Sequence, residues 1–343
     1  MKRMVFVLAI KHLVEKGLKD KTMFENHFLE QNTFYPNSDP FIVIKDDAND
    51  IPIGKCIRAL YYEKMDCFEK QFDARVLMKF EDGLGFEKIV CSALQRTGHF
   101  LADHIKIKFP YKNIRVSGEV DVIATTDDGE AVGIELKTGT GYYFQQQVFY
   151  GYKNDPTVER EYIINQLQAA PLVEHLMQAG IYLYYYQNIF KQKINSKPID
   201  KWFILYKDNE TSEMAEYIVY LTIDNGKHYI NTAKLNNSNT YDAIALKQLA
   251  IEDILENFVT AQNFINSSVL PPRSYNPAYT EQEIDELLEK KLLSKNKHKE
   301  MKAGKIEKMH YKCAYCQFLK FCLNDAETPS TNEPDPILQM NTL

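Results

Sequence analysis

GIELKTG, residues 133–139, decides how this chain is read. In a strand, alternate side chains share a face, so Ile134 and Leu136 point one way while Glu135 and Lys137 stand together on the other. An arbitrary acid and base so placed form a solvated ion pair worth about 0–1 kcal/mol. Here the pair interrupts an apolar run, and the preceding sequence gives it a neighbour. VSGEVDVIAT (116–125) reads as a second strand, joined to EAVGIELKT (130–138) through Asp127, Asp128 and Gly129. A three-residue loop ending in glycine is a recognised hairpin connection, with the glycine in the left-handed conformation. That loop pairs Thr126 with Glu130, and counting back along both strands sets Asp121 opposite Glu135. Opposed residues have Cβ atoms roughly 4.5–5.5 Å apart, where two carboxylates repel each other unless a cation sits between them.

Asp121, Glu135 and Lys137 therefore amount to hard oxygen ligands beside an ammonium. Mg²⁺ prefers carboxylates and water, and it polarises a phosphoryl oxygen or lowers the pKa of a bound water. An ammonium two residues from a ligand orients or deprotonates that water, or neutralises charge on a scissile phosphate. Phosphodiester hydrolysis is the chemistry these residue types imply.

GEVDVI followed by GIELKTG resembles the core of the PD-(D/E)xK nuclease superfamily, with Asp121, Glu135 and Lys137 as its motif residues. The resemblance implies an α/β fold of restriction-endonuclease type, a central mixed sheet flanked by helices, with Mg²⁺ or Mn²⁺ at the sheet. In the RecB-like branch a preceding helix carries a glycine followed four residues later by a His or Glu that also binds metal. Gly83 and Glu87 match this, with Glu where many relatives have His. Helical spacing puts both on one face, and because a helix glycine costs roughly 1 kcal/mol against alanine, Gly83 suggests close packing. The branch also has a QxxxY motif. MQAGIYLYY supplies Gln178 and Tyr182, which the resemblance implies position the lysine strand and contact nucleic acid. Metal ligands are thus expected from Glu87, Asp121, Glu135 and the backbone carbonyl of Leu136. Nearby His175 reads as an ordinary packed or exposed histidine.

The six cysteines are too few for a disulfide scaffold and are unevenly spread. CAYCQFLKFC places Cys313, Cys316 and Cys322 within ten residues, and three thiolates call for a fourth. Cys56, in IGKCIRALYY, is the candidate, with Cys67 as its competitor; Cys91 reads as a small buried hydrophobe. One cysteine ahead of the core and three behind it resembles the iron-sulfur nucleases typified by the CRISPR-associated RecB-like exonuclease family and its phage relatives. There four thiolates hold a [4Fe-4S] cluster, which would staple the two ends of the domain together. Zinc is the competing metal, although structural zinc more often uses two closely spaced Cys or His pairs.

Length and composition agree with one elaborated domain. The chain has 343 residues, 45% hydrophobic and 26% charged, which excludes fibrous and wholly disordered classes. A net charge of −6 argues against coating nucleic acid by overall basicity but leaves room for a local groove. The apolar run after Met1-Lys2-Arg3 ends at Lys11 with no cleavage site, and no window approaches the length of a membrane span. Cytoplasmic residence is the default. Residues 1–50 form a segment of unassigned role, 51–324 the nuclease domain, and 325–343 a loose Pro/Ser/Thr-containing tail.

Within the domain, residues 51–65 read as a turn and helix, 74–96 as a helix stopped by Gly98, and 166–187 and 240–266 as helices. KWFILYK and EYIVYLTID read as strands, and 281–312 as a helical, Lys-rich stretch. Nine lysines from Lys290 to Lys312 offer phosphate contacts, or form a solvated face. The aromatic run at 142–152 offers rings for stacking unpaired bases, or contributes to the core. The implied partner is DNA, single-stranded or at duplex ends. A different class, a DNA-end-binding or assembly subunit with a structural Fe-S or Zn site, shares every one of these features except the use of Lys137.

Overall fold

The computed structural model describes residues 31–39, 41–44, 51–65, 74–151, 168–191, 198–246, 249–275, 277–289, 293–305, 308–309, 311–314 and 316–325. The expectations for residues 1–30 and for the tail beyond 325, and Cys67 as a ligand, fall outside them. In chain order the elements are β1 (Thr33–Phe34), β2 (Phe41–Ile44), β3 (Ile51–Gly54), α1 (Ile57–Lys64), α2 (Ala74–Thr97), β4 (Phe100–Tyr111), β5 (Ile114–Thr125) and β6 (Ala131–Gly139). Then come α3 (Tyr142–Gln145), α4 (Val173–Tyr184), β7 (Trp202–Asp208), β8 (Met214–Asp224), β9 (Lys227–Leu235) and β10 (Tyr241–Ile244). Helices α5 (Ile251–Ser267), α6 (Glu281–Glu289), α7 (Lys295–Lys302), α8 (Tyr311–Ala314) and α9 (Leu319–Asn324) follow.

One mixed sheet runs β4-β5-β6-β7-β8-β9-β10, with β1 beside β5 on the edge that also meets β6. β6 and β7 are parallel, and the crossover between them contains α4. One face of the sheet is packed by α4 and α5, whose Leu176, Met177 and Tyr182 join Trp202, Ile204, Tyr217 and Phe258 in the main core. The opposite face carries a smaller cluster in which Cys91 of α2 meets Val122, Ala124 and Val132. This is the mixed α/β architecture expected, with helices on both faces of a sheet.

The hairpin register also agrees with the count. Thr125 pairs with Ala131 and Val122 with Ile134, Thr126 N–H donates to the Glu130 carbonyl at 2.9 Å, and Gly129 has φ +69°. Past Val122 and Ile134 the two strands part. β6 stays with β7 as far as Gly139, while β5 pairs next on that edge with Thr33 and Phe34. Thr33 and Phe34, assigned by the sequence to a segment apart, thus join this sheet, while β2 pairs with β3 in a separate two-stranded sheet; Phe34, Phe41 and Ile42 reach the main core, and Phe34 stacks on Phe258 at 5.1 Å.

Several boundaries differ. α4 begins at Val173, because Pro171 lacks an N–H and keeps the residue before it out of the α region, leaving Leu172 extended as N-cap. Residues 240–266 are a strand and then a helix. Asn236 Oδ1 accepts from the N–H groups of Ser238 and Thr240, an Asx turn that folds β10 back onto β9. β4 and β9 went unrecognised, and β3 precedes α1 where a turn was expected. The Lys-rich stretch contains separate helices, α6 and α7.

Gly133 opens the deciding strand because its neighbour leaves no room. A Cβ there would lie 2.3 Å from the ring of Trp202, which is wholly buried. Gly133→Ala is therefore expected to destabilise the protein by about 1–3 kcal/mol through overpacking, seen as a lower urea midpoint.

Candidate active site and cysteine cluster

Where β5 and β6 part, the Asp121 carboxylate takes over from the backbone ladder. Its Oδ2 accepts from the Leu136 N–H at 2.7 Å. Beside it Glu135 is fully buried, so the pair on β6 is no solvated face. Lys137 Nζ lies 2.6 Å from Glu135 Oε1, and Gln178 Nε2 donates to the same oxygen at 2.7 Å. Gln178 Nε2 also lies 3.3 Å from the Tyr182 hydroxyl, which donates to the Glu119 carbonyl at 3.1 Å. The i, i+4 spacing thus ties α4 to both parted strands. Gln178 and Tyr182 are both buried. Gln178 holds Glu135, and Tyr182 holds the Glu119 carbonyl.

Glu135 Oε2 is buried and, among the described residues, accepts no hydrogen bond. Burial pushes the Glu135 carboxyl up to about 8, with Asp121 adding to the rise against the opposing Lys137 ammonium. Asp121 is raised as well, chiefly by burial, while Lys137 and the Leu136 N–H hold it back. Burial works against the Lys137 ammonium, but Glu135 and Asp121 outweigh it and raise its pKa. Lys137 is accordingly a cation, suited to orienting a water or neutralising a phosphate rather than to taking a proton. Two carboxylates and one ammonium leave an uncompensated negative charge, which a divalent cation or a shared proton removes.

Glu87 approaches from α2, on the other side of the sheet, and its Oε1 lies 2.9 Å from His104 Nε2. The other ring nitrogen, Nδ1, hydrogen-bonds Glu119 Oε1 at 2.8 Å, whereas buried Glu87 Oε1, though within ion-pair distance, makes no hydrogen bond among the described residues. His104 stands opposite Asp121 in the β4–β5 register, in the left-handed region at φ +49°. Hydrogen bonding to Glu119 and the charge of Glu87 raise its pKa despite some burial. Burial raises the Glu87 carboxyl, as do nearby Asp121, Asp103 and Glu119, against His104. Sequence inspection missed His104, because a strand histidine carries no motif and its aim depends on a backbone conformation that spacing does not encode. Among the described residues no group of three His, Cys, Asp or Glu side chains is already set to hold a metal ion. The carboxylates nonetheless suit a hard divalent cation, for which the orphaned Glu135 Oε2 is a ready oxygen.

Gly83 corrects one expectation. Among the described residues the only atom within 4 Å of a Cβ built there is Thr138 Oγ1, at 4.0 Å, so close packing does not explain the glycine. His175 is packed, with Nδ1 2.9 Å from the Tyr206 hydroxyl, and burial lowers its pKa well below the ordinary value. Part of the lysine run is already neutralised. Lys302 pairs with Glu281 and Asp285, Lys308 with Glu281, and Lys312 with Glu174.

Cys56, Cys313, Cys316 and Cys322 line one small recess, formed where α1 meets α8 and α9. Burial, and then the neighbouring cysteines, push the Cys313 thiol up to about 11 and raise Cys316 as well. Arg273 Nε donates to Cys322 Sγ at 3.3 Å. Arg58, 3% exposed, also lines the recess, and its Nη1 has no hydrogen-bond partner among the described residues. The four thiols are soft donors around one space, although among the described residues they do not stand as a formed metal site; Arg58 Nε donates to the Pro271 carbonyl at 2.8 Å and leaves only Nη1 unpartnered. The segments flanking this recess also meet directly: Tyr62 packs in tilted contact with Phe318 and Phe321 and hydrogen-bonds Asp325.

The fold and site define a mixed α/β protein in which two carboxylates and an ammonium gather where two strands part. Sequence comparison supplies the family: the model of the PD-(D/E)XK nuclease superfamily matches residues 68–323, and the chain belongs to that superfamily. No curated protein matches it. Among solved structures it resembles the crystal structure of SSO0001, at 14% identity over 84% of this chain and 97% of that one, with a TM-score of 0.37, too distant to carry an inference about activity. No helix among the described residues is long and apolar enough to cross a membrane.

The raised Glu135 carboxyl has a measurable sign. In metal-free protein the folded state holds a proton that the unfolded state releases near the ordinary value of 4.5. Its stabilisation is full below that value and is lost as pH rises through about 8. Thermal melting in EDTA should therefore show stability falling across this window, and Glu135→Gln should flatten the fall.

Proposed function

We propose that this protein is a Mg²⁺- or Mn²⁺-dependent deoxyribonuclease of the RecB-like branch, with a [4Fe-4S] cluster on Cys56, Cys313, Cys316 and Cys322. It acts on single-stranded DNA or DNA ends as an exonuclease in the cytoplasm, in CRISPR adaptation or in phage and mobile-element recombination and repair. The observation that carries the metal site is the buried, unpartnered Glu135 Oε2 beside Asp121, with Lys137 held at 2.6 Å from the other oxygen.

Asp121, Glu135 and Glu87 would hold the divalent ion, with the Leu136 carbonyl as a further ligand. When bound, the ion supplies a polarised phosphoryl oxygen and an acidified water. The protein's own contribution is orientation. Gln178 fixes Glu135, the Leu136 N–H fixes Asp121, and the Lys137 ammonium stands where negative charge builds on a phosphate. The exposed rings of Tyr142 and Tyr143, just past β6, support a single-stranded substrate through base stacking, whereas Phe144 and Val148 of the same run are packed. The thiolate cluster joins the chain ends, closing a very long loop.

A second reading, a DNA-end-binding or assembly subunit with weak catalysis, draws on the absence of a metal-ready trio among the described residues. The two separate on one experiment. With labelled single- and double-stranded DNA and Mn²⁺, wild type should degrade the DNA and Lys137→Ala should be slower by about 10²–10⁴-fold, the range for a positioned charge or proton-transfer group. Equal degradation by both would reject the assigned site, and no degradation by either would favour the binding subunit. Protein purified without oxygen should be brown and contain iron with acid-labile sulfide. Cys313→Ser should lose both, and a colourless, zinc-loaded protein would overturn the cluster.

A further inference from the structure

We propose that Arg58 and Arg273 are the counter-charge for a thiolate-bound dianion in the cysteine recess, and that their charge, more than their packing, retains it there. This rests on the four-cysteine reading above and not on the nuclease site. The four cysteines share the recess with both guanidinium groups, and none of the described side chains lining it is a carboxylate. A guanidinium does not give up its proton. Each therefore brings a permanent positive charge to a space that no described carboxylate lines.

Arg58 is buried and reaches the recess from the first turn of α1, whose N-cap is Cys56. A helix presents its positive end there and favours acidic side chains, yet this turn has none. The Nε bond to the Pro271 carbonyl accounts for one donor, while Nη1 stays buried without a partner among the described residues. A buried cation left so is costly, and an apolar residue of similar volume would cost the chain less. Arg273, from the segment after α5, donates from Nε to Cys322 Sγ at 3.3 Å and from Nη2 to the Cys322 carbonyl. One guanidinium thus already touches a sulfur, and the other has a donor to spare. Zinc and a [4Fe-4S] cluster, each held by four thiolates, are both dianions. Either supplies the negative charge that the lining of the recess lacks.

The test uses full-length protein purified without oxygen, comparing Arg58→Gln, Arg58→Lys and Arg273→Gln with wild type. Glutamine can still donate a hydrogen bond but carries no charge, whereas lysine keeps the charge on a different shape. Release of iron or zinc to EDTA is timed by absorbance, and for iron the reduction potential is measured as well. Both glutamine variants should lose the metal about tenfold faster, in the range for residues that support metal ligands. They should also lower the potential, because a nearby positive charge and a hydrogen bond to sulfur favour the reduced cluster. Arg58→Lys should stay near wild type in both measurements. Equal release from Arg58→Gln and Arg58→Lys would overturn the inference, since shape rather than charge would then matter. Wild-type release from both glutamine variants would overturn it too. If Arg58→Gln does not fold, Arg273→Gln and Arg58→Lys decide. A wild type holding neither iron nor zinc removes the four-cysteine reading itself; a metal-bearing wild type matched by every variant removes this inference alone.

Discussion

The structure of the site depends on one hydrogen bond that replaces many. Where β5 and β6 part, the ladder stops, and the Asp121 carboxylate accepts the Leu136 N–H in its place. A buried backbone donor must find a partner, and this one finds a charged side chain instead of a carbonyl. The parting opens the sheet between two helices packed on opposite faces. α4 brings Gln178 from one side and α2 brings Glu87 from the other. Acidic groups that would otherwise be separated by the sheet thus come near a common point.

That arrangement stores electrostatic tension. Glu135 is fully buried with one oxygen satisfied by Lys137 and Gln178 and the other by nothing described. Such a carboxylate is unfavourable without a counter-charge, and the raised pKa values of Glu135 and Asp121 express this as affinity for a proton. A divalent cation answers the same need. His104, hydrogen-bonded to Glu119 and within ion-pair distance of Glu87, offsets part of the remaining charge. The cysteine recess repeats the theme in softer chemistry: four thiols, an unsatisfied Arg58 Nη1 and the Arg273 contact to Cys322 all lie around one space.

Much of this was legible in the sequence because its cause is local. The period-two alternation of GIELKTG and the Asp-Asp-Gly loop set the hairpin register, which holds from Thr125–Ala131 to Val122–Ile134; counting carries Asp121 and Glu135 to the next position, just where the ladder ends. Helical spacing aligned Gln178 with Tyr182, and cysteine spacing grouped Cys313, Cys316 and Cys322, which line one recess with Cys56. Pro171 and the Asx turn at Asn236 are local signals too, and attention to them places the start of α4 and the strand β10 correctly.

The remainder belonged to the tertiary structure alone. No spacing rule shows that β5 leaves β6 for β1, since that pairing joins residues far apart in the chain. Burial of Gln178 and Tyr182 depends on α4 lying against the sheet, which brings Gln178 to Glu135 and Tyr182 to the Glu119 carbonyl. His104 enters the site through a positive φ, and Gly83 loses its packing explanation only when its surroundings are seen. The sequence alone determined which side chains share a face, because periodicity is a property of the single strand or helix. The fold decided which faces meet and what water reaches, because those depend on elements distant in the chain.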